Sequence, residues 1–131
     1  MVLQRPAMGV DLAISEFAAA WNSSDAATRW RHLVSTWGAR GVFADPTVFL
    51  VGRDALFDHI GALRREYPQV SFSVRDDVEH HHGQVHFAWT LLDAGGVEIL
   101  SGRSVGAFDD EGRLGRLVGF FTACPRRLVA A

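Results

Sequence analysis

The chain carries 15 acidic side chains, six histidines and one cysteine, and one carboxylate stands apart. Asp45 lies in FADPTVFLVG, residues 43–52, among Phe, Val and Leu. An apolar setting raises the pKa of a carboxyl group by desolvation, which suits it to act as a general base near neutral pH. The proline that follows supports a second reading. Asp side chains at turns bond the backbone just ahead of them, so Asp45 is equally suited to cap a turn beside a buried strand. The sequence leaves both readings open.

His59 is the second candidate. It falls on the apolar stripe of RDALFDHIGALRREYP with Leu56, Ile60, Leu63 and Tyr67, and histidine is the side chain best suited to proton transfer near neutrality. It reads either as a core-edge residue or as a polar contact for a ligand or for Asp45. His80, His81 and His82, with His86 nearby, raise the question of a metal. On a strand His80 and His82 would share a face, but Gly83 follows and no local cysteine completes a ligand set, so a solvated turn is favoured. No metal site and no cofactor are expected. Cys124 has no partner cysteine, which excludes an internal disulfide, and it reads as an inert thiol.

These groups need elements to hold them. DLAISEFAAAWNSSD has helical character, with Leu12, Phe17 and Trp21 on one stripe. AATRWRHLVSTWG follows, with Trp30, Leu33, Val34 and Trp37 at helical spacing and Gly38 as the stop. GVFADP reads as a short strand closed by Pro46, which TVFLVG extends or crosses. A third helix then runs to Pro68. The second half alternates as strands do. VSFSV, QVHFAWTLLD, VEILSGRSVGAF and RLVGFFTA form a meander, with tight turns at DAGG and DDEGR. Gly102 and Gly106 inside one strand mark a bend or a close approach, and would leave room beside Ser104. Early helices and late antiparallel strands make an α+β layout, and a bent sheet wrapped round helices leaves a concave space for a ligand.

Composition narrows the field. Of 131 residues, 48% are hydrophobic and 21% charged, as expected of one globular domain with a core. That domain is assigned to residues 11–124, with a lead-in at 1–10 and a tail at 125–131. A net charge of −2 disfavours a nucleic-acid partner. All 13 basic residues are arginine. No apolar run approaches the ~20 residues that span a bilayer, so no membrane partner is expected. MVLQRPAMGVDLA lacks a signal-peptide core, which makes a cytoplasmic location the default.

An ordered set of segments resembles the nuclear transport factor 2-like superfamily, in particular its SnoaL-like branch. The set is FAAAWNSSD, FADP, VGRDAL, REYPQVSF, FAWTLLDAGGVEILSG and FDDEGRLGRLVGFF, spread over residues 11–121. The resemblance implies a cone-shaped α+β barrel, three helices on a strongly curved sheet, with a pocket inside the cone and a homodimer formed through the sheet. It also implies that Asp45 matches the aspartate base of ketosteroid isomerases. Phe17 falls where those enzymes carry an oxyanion-stabilising Tyr, and Ser104 where they carry an Asp. Both departures matter: Phe cannot donate a hydrogen bond, and Ser donates without the acidity of a carboxyl group.

The expected catalytic residues are therefore Asp45 and His59, and the expected ligand contacts are Phe17, Trp21, Ile60, Leu63, Ser104 and Phe120. Three functions fit. The first is an isomerase or cyclase using Asp45 on an apolar carbonyl-bearing ring substrate. The second is a pocket that binds a small apolar molecule without reacting. The third is an association domain pairing through the face of Val97, Ile99, Val105 and Ala107.

Overall fold

A computed structural model describes residues 9–75 and 77–123. Three helices, α1 (Val10–Asn22), α2 (Ala26–Thr36) and α3 (Arg53–Glu66), accompany seven strands. The strands are β1 (Trp37–Asp45), β2 (Val48–Val51), β3 (Ser71–Val74), β4 (Glu79–His81), β5 (Gln84–Leu92), β6 (Glu98–Phe108) and β7 (Leu114–Ala123). They form one sheet in the order β2-β1-β7-β6-β5-β3, with β4 also on β5. The β1–β7 pair is parallel and every other pair antiparallel. The fold is therefore the α+β arrangement expected: three helices packed on a curled mixed sheet.

The helices form where the sequence supplies an apolar face and a cap. Asp25 caps α2 by accepting from the Thr28 N–H at 2.8 Å. The buried face of α1 is Ala13, Ile14, Phe17, Ala18, Ala20 and Trp21. Leu12, expected on that stripe, is 61% exposed; it stands about 100° round the helix from Ala13, on the solvent side. Phe17, Leu33, Trp37, Leu56, Ile60, Phe87, Leu114 and Leu117 are almost wholly buried. Such a residue contributes about 1.5–3 kcal/mol by leaving water.

Two expectations at the centre of the chain change. Gly38 does not stop α2. Trp37 gives the helix its last hydrogen bond, to the Leu33 carbonyl, and is already extended, so β1 starts there. The strand expected at GVFADP is longer, Trp37–Asp45, and TVFLVG does not extend it but folds back as β2, with Asp45 opposite Val48. The histidine run supplies a short strand as well as the solvated turn: β4 ends at His81, and His82 and Gly83 turn the chain at φ 50° and 77°. The first eight residues of the lead-in, the tail and Cys124 lie outside the described residues, while Val10 already belongs to α1. No helix of the described residues is long and apolar enough to cross a membrane.

Candidate functional site

The curl of the sheet leaves a cavity of about 360 Å³. Phe17 and Trp21 of α1, His59, Leu63 and Glu66 of α3, and Tyr67 just beyond its end form one wall. Phe43 and Asp45 of β1, Phe72 of β3, Trp89 of β5, Ser104 of β6 and Gly119 and Phe121 of β7 face it. Strand alternation explains the choice: Phe43 and Asp45 are two apart and share the inner face, as do Leu100, Gly102 and Ser104.

Asp45 holds a turn and also lines the cavity. Its Oδ1 accepts from the Thr47 N–H at 2.8 Å, the Thr47 hydroxyl at 2.7 Å and the Val48 N–H at 3.2 Å. That is the turn role, and it is not peculiar to Asp45. Asp93 and Asp109 hold their own hairpins the same way, through Gly95 and Val97 and through Glu111 and Arg113. Asp45 differs from them in lining the cavity. Three donors hold Oδ1, and among the described residues none donates to Oδ2.

Ser104 stands beside it. Gly119 pairs with Ser104 across the β6–β7 ladder. A Cβ added to Gly119 would lie 3.5 Å from Asp45 Cβ and 3.6 Å from Ser104 Oγ. The two side chains therefore flank one bare backbone position. The Trp89 indole N–H donates to Ser104 Oγ at 3.0 Å in buried surroundings. A hydroxyl whose acceptor side is filled in this way keeps its own proton to donate elsewhere.

His59 closes the site from α3. Its ring meets Trp21 edge-on at 6.0 Å and lies 6.2 Å from Phe43. Burial lowers its pKa below the usual histidine value, and the nearby Asp45 charge opposes that shift. The imidazole is thus held neutral around pH 7.

Asp45, His59, Phe17, Trp21, Leu63 and Ser104 all line the cavity. Two expected contacts do not. Ile60 is fully buried in the core, one position round α3 from His59. Phe120 is 57% exposed on the outer face opposite Arg103, and its neighbour Phe121 takes the inner place. Two adjacent phenylalanines carry no alternation of their own; the pairing of Ser104 with Gly119 sets the parity. The space expected beside Gly102 is filled by the Trp89 ring, since a Cβ there would strike that ring and the Phe120 carbonyl. Trp89, inside the strand QVHFAWTLLD, is a lining residue that the sequence did not single out. Its signal is the glycine opposite it, Gly102, which lets a large ring lie flat on the strand.

His86 lies 3.2 Å from Glu79, while His81 and His82 meet each other at 3.2 Å, all at the surface. Among the described residues no group of three or more His, Cys, Asp or Glu converges as metal ligands do.

Neither a family model nor a curated protein matches the chain in sequence. Solved structures do match in fold. A proposed isomerase of the SnoaL-like family from Agrobacterium tumefaciens superposes with a TM-score of 0.80 at 25% identity, over 86% of this chain and 96% of that one. A proposed SnoaL-like polyketide cyclase from Jannaschia sp. CCS1 gives 0.67 at 13%, over 86% and 84%. An NTF2-like protein of unknown function from Cytophaga hutchinsonii gives 0.66 at 14%, over 88% and 90%. The fold is therefore the cystatin-like, NTF2-like cone. Within it, the chain is similar in structure to SnoaL-like proteins.

Proposed function

We propose that the protein is a cofactor-independent isomerase or cyclase acting on a small, apolar, ring-containing carbonyl compound. Asp45 Oδ2 removes a proton from the carbon beside the carbonyl, and the electron pair moves onto the carbonyl oxygen. Ser104 donates its hydroxyl proton as a hydrogen bond to that oxygen, and neutral His59 offers a second contact. The protonated Asp45 then delivers the proton to a different carbon of the conjugated enolate, which isomerises the compound, or, where the enolate carbon has closed a ring onto a second carbonyl, to the alkoxide so formed. The observation that carries this reading is the placement of Asp45 and Ser104 on either side of Gly119, inside an apolar cavity. General-base catalysis of this kind is worth about 10²–10⁴-fold.

Phenols test it, because a bound phenolate resembles the enolate. Replacing Asp45 by Asn removes a negative charge beside the bound phenolate, so D45N is expected to bind bicyclic phenols about ten-fold more tightly than wild type in calorimetric titration. Equal affinities would place Asp45 away from the ligand and overturn the mechanism.

A binding-only role is favoured by one feature. Phe17, where a phenolic donor would stand in the isomerases the sequence resembles, is instead stacked on Trp37 at 5.5 Å and supplies no donor. A ligand recovered unchanged from long incubation with wild type would select that role. In either case the outer sheet face, with Val97 and Phe120 61% and 57% exposed, fits pairing with a second copy.

A further inference from the structure

The face of α3 turned away from the cavity carries a feature that the proposed chemistry does not use. Arg29 of α2 is 5% exposed, with its guanidinium over the Phe57 ring at 5.1 Å. Its Nε is sealed from water and has no hydrogen-bond partner. Among the described residues no carboxylate comes within 4 Å of it. Asp25, one turn earlier, spends an oxygen on the Thr28 N–H and hydroxyl. A buried guanidinium without an anion is expensive, and an aromatic face offsets only part of that.

Other cations gather round it. A Cβ added to Gly61 would lie 3.2 Å from Arg29 Nη1 and 3.3 Å from Arg65 Nη1. Two guanidinium groups from different helices thus close over one bare position. Arg64 adds charge nearby, but its own donors go to the Val70 and Pro68 carbonyls. Burial, then the charges of Arg64 and Arg65, lower the Arg29 pKa, against a smaller opposing pull from Asp25.

We infer that Arg29 and Arg65, over Gly61, form a binding site for a phosphate-class oxyanion at the α2–α3 crossing, separate from the cone cavity. Guanidinium forks match the oxygens of such an anion in pairs. An anion held there joins the two helices, one of which carries His59 on its opposite face. The anion comes either as the free ion or as the phosphate end of a larger ligand.

The test is thermal unfolding at constant ionic strength, with chloride replaced stepwise by inorganic phosphate or by phenyl phosphate. Wild type is expected to show a saturable rise in midpoint at millimolar concentration. Arg65 is exposed, so R65Q folds, and it is expected to weaken the apparent affinity at least ten-fold. G61A puts a methyl 3.2 Å and 3.3 Å from the two guanidinium groups and is expected to blunt the phosphate response. R29M abolishes the response. Phenyl phosphate acting at lower concentration than phosphate points to a phosphate ester as the occupant, and the reverse order points to the free ion. A rise that is linear, or equal in wild type and R65Q, is general salting-out and overturns the site, as does the absence of any rise.

Discussion

Asp45 performs two tasks with two oxygens, and substitutions separate them. Asn keeps an amide oxygen for Thr47 and Val48, so D45N is expected to stay within about 0.5 kcal/mol of wild type. D45A loses all three hydrogen bonds and is expected to lose about 1–2 kcal/mol in urea unfolding. Ser104 is coupled to Trp89. S104A leaves that indole N–H buried without an acceptor, which costs about 1–3 kcal/mol, and is expected to lower turnover on the order of 10²-fold. His59 reports the site independently of any substrate. Its pKa is lowered in the folded protein, so the unfolded chain binds the proton more tightly. Stability therefore rises with pH between that lowered value and about 6.5, and falls on acidification through the same window. In D45N the opposing charge is gone, and the His59 midpoint by NMR titration is expected to move further down. An upward movement would mean that the two groups do not face each other.

At the scale of elements, legibility followed the strength of the local pattern. The third helix was readable because Leu56, His59, Ile60 and Leu63 recur at its period and Pro68 closes it. The inner face of β6 was readable because small and apolar residues alternate there with exposed ones. The last strand was not. Phe120 and Phe121 are equivalent to any rule of alternation, and only the ladder partner decides between them. The same limit hid Trp89, because its function depends on Gly102 and Ser104 across the ladder, which are distant in sequence. G102A is accordingly expected to displace the Trp89 ring and lower the unfolding midpoint, with the loss of the Trp89–Ser104 hydrogen bond visible in the indole N–H resonance.

At the scale of the molecule, the order of elements was legible, since helix-rich and strand-rich halves admit few arrangements. The cavity followed as a consequence of the curl. Its contents did not follow, because they depend on which side chains meet across β1, β6 and β7. The outer sheet surface of Val97, Val105 and Phe120 belongs to this scale too. Light scattering is expected to give a dimer at micromolar concentration, and Phe120→Glu to give a monomer that keeps its fold; a monomeric wild type would contradict pairing through the sheet. The most direct test of the site is proton exchange. A cyclic ketone with the ring system of the best-binding phenol is incubated in heavy water, and deuterium uptake at the carbon beside the carbonyl is followed by mass spectrometry. Wild type is expected to exchange it at least 10²-fold faster than D45N; equal rates in the two proteins would show that Asp45 is a turn residue and not a base.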